Sequence, residues 1–149
     1  MNDRFETFTV LIAKISRNIR KIKNQEMADY DLRSSHISCL YYLYSSGGLT
    51  ATDLCERCEE DKATISRSLE YLEKGGYITY GSRSSKRYKS PILLTEKGSE
   101  VGKKISSKVD AVFDEIGKEL TDDDRIVMYR GLNIVSDVLE AIVNRLDEE

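Results

Sequence analysis

The sequence predicts a mainly α-helical protein with a small β-hairpin, an α+β fold class. Apolar residues recur at helical spacing over most of the 149 residues. A short stretch in the second half instead has strand-forming residues on both sides of a polar loop. Pro91 is the one proline in the sequence, so long helices can run without interruption. The length suits a single chain with one compact core and helical extensions.

The first predicted helix runs from about Arg4 to Met27. Its apolar residues recur every three or four positions and form one face: Phe5, Phe8, Ile12, Ile15, Ile19 and Ile22. A second helix follows, with Ser34 or Ser35 as its N-cap. Its apolar face consists of Ile37, Leu40, Leu43 and Tyr44, and the pair Gly47 and Gly48 ends it.

Two short helices come next, separated by only a few residues. Thr50 and Asp53 have the spacing of a capping box, which predicts the start of a third helix that carries Leu54 and Cys58. Asp61 is expected to cap a fourth helix. The buried stripe of that helix is Ile65, Leu69 and Leu72, and Gly75 and Gly76 end it. This arrangement predicts a helix-turn-helix.

A β-hairpin is predicted directly after the fourth helix. The run from Tyr77 to Tyr80 has strand character, and Ile92 to Leu94 forms the returning strand. Pro91 restricts the returning strand to a sheet edge, or marks its start. The loop between the strands is polar, basic and rich in serine. A helix-turn-helix followed by a basic hairpin is a winged helix-turn-helix.

The last two helices are long. Thr95 begins the fifth, whose apolar stripe is Val101, Ile105, Val109, Val112, Phe113 and Ile116, and Thr121 with Asp124 caps the sixth. The sixth helix is rich in apolar residues: Ile126, Tyr129, Leu132, Val135, Val138, Leu139, Ile142, Val143 and Leu146. That apolar surface exceeds what one small domain needs to cover, which predicts a partner.

Charge is unevenly distributed along the chain. The net charge is -3, which by itself weakly disfavours nucleic acid as a partner. From Lys62 to Lys89, however, the sequence contains seven basic residues and only two acidic ones. From Glu119 to the end it contains nine acidic residues and three basic ones. A chain with such a basic centre can bind DNA locally and still remain soluble.

Four stretches together resemble the MarR family of bacterial regulators. They are Leu49-Thr50 with Leu54, then residues 61–67 (DKATISR), residues 72–78 (LEKGGYI) and residues 94–98 (LTEKG). The resemblance covers residues 32–98 closely and implies that this part is the winged helix-turn-helix core. It also implies that residues 1–30 and 99–149 form a helical dimerisation region, in which the first and last helices interlock. In one departure, Lys86 stands where the family usually has an Asp in the wing.

The resemblance implies a sequence-specific DNA-binding transcriptional regulator, most typically a repressor. It would bind pseudo-palindromic operators as a homodimer and be released by a small-molecule effector or by an oxidant. Burial of the stripe of the fourth helix turns outward a set of short, polar and basic residues suited to a major groove: Lys62, Ala63, Thr64, Ser66, Arg67 and Glu70. The wing offers Arg83, Ser84, Lys86, Arg87 and Lys89 for phosphate or minor-groove contacts. The alternative for both sets is a solvated surface without a ligand.

The cysteines allow three interpretations. Cys55 and Cys58, with His36 and Cys39, have the spacing of a zinc site. The three thiols also lie where apolar core residues are expected, and free cysteine packs well as a small core residue. We therefore favour core packing, with no metal or cofactor. A thiol- or metal-responsive sensor on the same fold is the alternative function.

A pocket for an effector is predicted at His36, Tyr41 and Tyr42. Ordinary surface packing of these amphipathic side chains is the competing interpretation.

Several classes of function are disfavoured. The sequence has no Gly-rich phosphate loop, no Ser-His-Asp arrangement and no paired acids in a plausible cleft, so no catalytic residues are predicted and the protein is not expected to be an enzyme. No window is apolar enough for a membrane span, and the N-terminus lacks the pattern of a signal peptide, which predicts a cytoplasmic protein. A winged-helix module that binds protein instead of DNA is a further alternative.

Overall fold

A computed structural model describes residues 3–58, 60–81 and 89–149, with side chains from residue 6 onward, so the predicted apolar position Phe5 lies outside the described side chains. The elements are α1 (Asp3–Glu26), a 3₁₀ turn (Ala28–Tyr30), α2 (Ser34–Ser45), α3 (Ala51–Cys58), α4 (Lys62–Lys74), β1 (Ile78–Tyr80), β2 (Ile92–Leu94), α5 (Glu96–Glu119) and α6 (Asp122–Asp147). The predicted fold class, mainly helical with a small hairpin, is confirmed. The chain forms two compact units, Met1–Lys108 and Val109–Glu149.

Side-chain caps start three of the helices, as the sequence predicts. At α3, the Asp53 carboxylate accepts the Thr50 backbone N–H at 2.9 Å, and the Thr50 hydroxyl accepts the Asp53 N–H at 3.3 Å. At α4, Asp61 Oδ1 accepts the Thr64 N–H at 2.7 Å. At α6, the Thr121 hydroxyl accepts the Asp124 N–H at 3.1 Å. These bonds satisfy amides that have no partner within the first turn of a helix.

The N-cap of α2 differs from the prediction. Arg33, and not Ser34 or Ser35, occupies the capping position. His36 Nδ1 accepts the Arg33 backbone N–H at 3.0 Å, while the Ser34 N–H donates to Asn24 Oδ1 at 2.9 Å. The helix therefore begins one residue earlier than a serine cap would allow, because a ring nitrogen and the Asn24 amide provide the acceptors.

The core of the first unit lies where α2, α3, α4, the hairpin and the start of α5 meet. Its buried apolar side chains include the predicted stripe of α4 and residues from each neighbouring element: Met27, Leu32, Ile37, Cys39, Leu40, Leu43, Leu49, Leu54, Ile65, Leu69, Leu72, Ile78, Ile92, Val101 and Ile105. Tyr44, predicted on the apolar face of α2, is instead 40% exposed. Its ring lies over Gly102 of α5, where a Cβ atom would stand 2.8 Å from Tyr44 Cβ.

The hairpin is antiparallel and docks on the same core. Ile78 pairs with Leu94, Thr79 with Leu93 and Tyr80 with Ile92. The Ile92 N–H donates to the carbonyl of Leu49 at 2.8 Å, which ties the returning strand to the loop before α3. Pro91 immediately precedes β2, which confirms that it marks the start of the returning strand.

Apolar side chains of the long helices remain exposed in the single chain. In α1 they are Val10, Leu11, Ile12, Ile15, Ile19 and Ile22. In α6, no residue is buried over the whole of Asp122–Asp147, and the exposed apolar residues include Ile126, Tyr129, Leu132, Val138, Leu139, Ile142, Val143 and Leu146. The predicted excess of apolar surface on the first and last helices is therefore present.

Candidate nucleic-acid interface

One face of α4 is anchored in the core and the opposite face is open. Ile65, Leu69 and Leu72 are buried with at most 3% of their surface exposed. The helical period then places most of the predicted recognition residues outside: Lys62, Ala63, Ser66, Arg67 and Glu70 are exposed, and Thr64 is half-buried. Small side chains lie between the charged ones, so a ligand that binds this surface can approach the helix backbone closely.

Charged groups on α4 are held by local contacts. The Thr64 amide donates to Asp61, and this bond keeps the pKa of the Asp61 carboxyl below its usual value. Arg67 reaches back to the Thr64 hydroxyl, with Nη2 to Oγ1 at 3.4 Å. Glu70 is paired with Lys74 at 3.3 Å one turn later. The ion pair offsets the negative charge that Glu70 brings to the basic face.

Polar contacts fix the rear of α4 to α2 and to the 3₁₀ turn. The Ser68 hydroxyl donates to the Ser35 hydroxyl at 2.9 Å. The Tyr71 hydroxyl donates to the carbonyl of Asp31 at 2.7 Å, and its ring stacks on His36 with the centroids 4.3 Å apart. Sequence reasoning missed this network because its members are more than 30 positions apart and share no periodicity. The network orients the open face of α4 with respect to the N-terminus of α2.

Most of the predicted wing contacts fall beyond what the structure describes. Arg83, Ser84, Lys86 and Arg87 lie outside the described residues, and Lys89 is exposed just before β2. The base of the hairpin is closed by the Gly81 N–H, which donates to the Pro91 carbonyl at 2.9 Å. The hairpin therefore emerges directly after α4, while the DNA contacts of the wing remain a prediction.

The predicted effector residues lie on α2. His36 stacks on Tyr71, and its pKa is lowered by burial and by the nearby charge of Arg33. Tyr41 and Tyr42 are half-buried and meet edge to face, with the ring centroids 5.3 Å apart. These contacts bring His36 to α4 and the two tyrosines to each other. An effector pocket at the three residues stays a prediction.

The three cysteines are in different environments. Cys39 is buried, whereas Cys55 and Cys58 are only half-buried, so core packing describes Cys39 better than the other two. Interaction between the two thiols raises the pKa of Cys39 and lowers that of Cys58. Over residues 3–58, 60–81 and 89–149, no group of three or more His, Cys, Asp or Glu side chains has the arrangement of a metal site. The predicted zinc spacing of His36, Cys39, Cys55 and Cys58 therefore does not assemble a ligand set among these residues.

Comparisons with known proteins agree on one family. The model of the MarR family matches residues 30–87, which include α2, α3, α4 and β1. In this segment the chain is similar to the MarR family. The chain is also similar to the curated HTH-type transcriptional regulator BilQ of Clostridioides difficile, with which it shares 26% identity over 95% of each chain.

Solved structures of MarR-family proteins share the fold. The chain is similar to the MarR-family regulator NMB1585 of Neisseria meningitidis, with a TM-score of 0.84 and 21% identity over 97% of this chain and 99% of that one. It is also similar to MepR of Staphylococcus aureus in a complex with DNA, with a TM-score of 0.77 and 22% identity over 89% of this chain and 97% of MepR. In the described part of the chain, no helix is both long and apolar enough to cross a membrane.

Proposed function

We propose that the protein is a MarR-family transcriptional regulator, which binds double-stranded DNA as a homodimer, with α4 in the major groove, and represses transcription from pseudo-palindromic operators. The open face of α4 is the observation that carries the proposal. It joins Lys62 and Arg67 with the short side chains of Ala63 and Ser66 on a helix whose opposite side is buried. A rigid helix with small exposed residues can enter the groove deeply enough for an arginine to contact base edges.

The wing is proposed to supply contacts to the DNA backbone. Lys89 at its base is exposed, and the sequence places Arg83, Lys86 and Arg87 in the loop before it. Basic groups beside serine hydroxyls suit phosphate oxygens, and an arginine at the tip suits a narrow minor groove. Phosphate contacts fix the position of a protein on DNA, whereas base contacts select the sequence, so α4 and the wing have separate roles.

The dimer is supported by the apolar faces of α1 and α6. Residues such as Ile15 and Leu139 are about half exposed, at 52% and 49%. Covering these faces with a second copy of the chain would remove much apolar surface from water, at about 25 cal/mol per Å². A two-fold dimer carries two copies of α4, which would contact half-sites about one DNA turn apart.

A small-molecule effector is proposed to release this regulator from DNA. We propose that the protein acts in the cytoplasm, by binding and not by catalysis. The similar MarR of Staphylococcus aureus, with a TM-score of 0.79 and 15% identity, was solved in a complex with salicylate and kanamycin. His36, Tyr41 and Tyr42 are the proposed contacts in this chain. They combine aromatic surfaces with hydrogen-bonding groups, which suits a small aromatic ligand.

Selection of bound fragments from random DNA, followed by fluorescence anisotropy, tests the proposed function. We expect enrichment of a pseudo-palindrome whose half-sites are about 10 base pairs apart between their centres. The affinity for the selected site should exceed that for a shuffled sequence by at least about 10³-fold and should fall steeply with salt. Equal, weak binding to both sequences at all salt concentrations would contradict the proposal and favour a protein-binding winged helix.

A further inference from the structure

The end of α4 and the start of α5 are joined by direct hydrogen bonds. Lys97 Nζ donates to the carbonyl of Gly75 at 2.7 Å. The Thr95 hydroxyl donates to the carbonyl of Gly76 at 2.6 Å. The Thr95 backbone N–H donates to the carbonyl of Tyr77 at 3.0 Å. Three consecutive carbonyls that follow α4 therefore accept donors from two residues at the start of α5.

The local turn at the end of α4 explains why these donors come from another helix. Gly76 has a left-handed backbone with φ at +78°, and its N–H donates to the carbonyl of Glu73 at 3.0 Å. The Tyr77 N–H donates to the carbonyl of Leu72 at 2.9 Å. This is the hydrogen-bond pattern of a Schellman motif. The motif satisfies carbonyls of the last helical turn but supplies no donor to the carbonyls of Gly75 and Gly76, which α5 provides.

Lys97 brings the positive charge to this junction. Its ammonium group lies 4.3 Å from the centroid of the Tyr77 ring, and Tyr77 is buried. The same ring lies against Gly75, where a Cβ atom would stand 2.9 Å from it. A hydrogen bond from an ammonium group is stronger than one between neutral groups. The positive charge is also attracted by the negative end of the helix dipole and by the face of the ring.

We propose that Lys97 is a positioning residue for DNA recognition, which fixes the C-terminal end of α4 to α5 and thereby sets the orientation of α4 without contacting DNA itself. The proposal rests on the proposed function, in which α4 enters the major groove. Ser68 and Tyr71 hold α4 on the side of α2 and the 3₁₀ turn. Without Lys97, these two contacts remain and can act as a pivot for α4.

A small rotation of α4 is enough to affect base contacts. Lys62, at the start of α4, is nine positions from Tyr71, or about 14 Å at 1.5 Å per residue. A rotation of about 5° about such a pivot would displace it by about 1 Å. Productive geometry at a binding site has to be held within about 0.5 Å. Base contacts select the sequence, whereas phosphate contacts support non-specific binding, so loss of Lys97 should weaken operator binding selectively.

The binding experiment uses the full chain and compares three variants. Lys97→Met keeps an unbranched side chain but removes the donors and the charge. Lys97→Arg keeps both, and its guanidinium can also stack on the Tyr77 ring. Lys103→Met removes one exposed positive charge from the same helix and controls for charge alone. Fluorescence anisotropy measures each variant on the selected operator and on a shuffled sequence at several salt concentrations.

The expected result is a selective loss. Lys97→Met should bind the operator about tenfold more weakly, the size of a lost base contact, and the shuffled sequence less than about twofold more weakly. The salt dependence on the operator should stay unchanged, because no phosphate contact is removed. Lys97→Arg should recover most of the operator affinity. Lys103→Met should bind both sequences like wild type.

Hydrogen exchange with mass spectrometry tests the junction without DNA. In Lys97→Met we expect faster exchange over residues 72–78, which contain the end of α4 and the residues bonded to α5, and unchanged exchange over residues 34–45 in α2. Lys97→Arg should exchange like wild type in both segments. The comparison separates a local release of α4 from a general loss of stability.

Several outcomes would overturn the proposal. A decrease of the salt dependence by about one unit in Lys97→Met would show that Lys97 contacts a phosphate. Equal losses on both DNA sequences, the same loss in Lys103→Met, or no recovery in Lys97→Arg would contradict a positioning role. Unchanged exchange over residues 72–78, or faster exchange in both segments, would contradict it as well. If wild type binds no selected DNA, the proposed function fails instead, and hydrogen exchange still tests the hold of Lys97 on α4.

Discussion

The His36 ring lies flat against the Tyr71 ring, with centroids 4.3 Å apart and planes inclined by 12°. Each partner is also held by a hydrogen bond: His36 Nδ1 accepts the Arg33 backbone N–H, and the Tyr71 hydroxyl donates to the carbonyl of Asp31. The stack thereby joins the first turn of α2 to α4, the proposed recognition helix. Since His36 is the one histidine of the chain, this contact gives the fold a distinct dependence on pH.

The stability of the protein should decrease as His36 becomes protonated. Burial, and then the charge of Arg33, lowers its pKa from the ordinary value of 6.5. The folded state therefore binds a proton at His36 less readily than the unfolded chain does. The contribution of neutral His36 to the free energy of unfolding is complete above pH 6.5 and is lost as the pH falls through the lowered pKa. Urea denaturation above pH 6.5 and well below pH 6.5 measures the change in the free energy of unfolding.

The matched control for this prediction is His36→Gln. Glutamine at this position can still accept the Arg33 N–H but does not titrate. Carboxylates contribute equally in both proteins, so the difference between wild type and variant isolates His36. Identical losses of stability on acidification would show that His36 does not contribute.

Much of the fold follows from local patterns in the sequence. The capping pair of Thr50 and Asp53, the cap of Asp61 and the apolar stripe of α4 depend on residues within two turns of each other, and the structure confirms them. The His36–Tyr71 stack and the hydrogen bond between the Ser35 and Ser68 hydroxyls could not be predicted. They depend on how α2 packs against α4, which no periodicity encodes.

Two local expectations were wrong for similar reasons. The N-cap of α2 is Arg33 because His36 and Asn24 supply acceptors that a serine cap would otherwise provide. Tyr44 lies on the predicted apolar face but is 40% exposed, and the covered part of its side chain packs on Gly102 of α5. In both cases a contact between separate elements overrides a preference that neighbouring residues suggest.

Arg67→Ala should change which DNA sequences are preferred. Arg67 is exposed on the open face of α4 and is held near the Thr64 hydroxyl, so it is proposed to contact a base edge. Its loss should weaken binding to the selected operator by about 1–3 kcal/mol and relax selection at one position of each half-site. Lys103→Ala, which removes an exposed positive charge from α5, is the control for charge alone.

Arg87→Ala should act differently, because the wing is proposed to contact phosphates. Binding should weaken to a similar extent on all DNA sequences, and the salt dependence should decrease by about one unit. Anisotropy titrations at several salt concentrations distinguish the two variants. If Arg67→Ala and Arg87→Ala both bind like the parent, the proposed DNA face is incorrect.

Gly98→Ala should destabilise the first unit. A Cβ atom at Gly98 would lie 2.0 Å from the backbone oxygen of Tyr77. No side-chain rotation can relieve this clash, so α5 must shift away from the hairpin. We expect a loss of about 1–3 kcal/mol in the free energy of unfolding, measured by chemical denaturation. Gly117→Ala lies in the same helix with no atom within 4 Å of the new Cβ. That control should instead stabilise the protein by about 0.5–1 kcal/mol through helix propensity.

Leu139→Glu should convert the protein to a monomer and abolish operator binding. Leu139 is 49% exposed in the single chain, so a charge there would cost little if α6 remained in water. Buried between two copies of the chain, the same carboxylate would lose its hydration without a partner.

Asn144→Glu adds an equal charge, and the helical period places it on the opposite side of α6 from Leu139 and Ile142. Sedimentation equilibrium should show a dimer for wild type and Asn144→Glu and a monomer for Leu139→Glu. A single winged unit keeps its α4 and wing but loses the second half-site, so the affinity for the full operator should fall to the non-specific level. A monomeric Leu139→Glu that binds its operator at full affinity would show that recognition does not need the second copy.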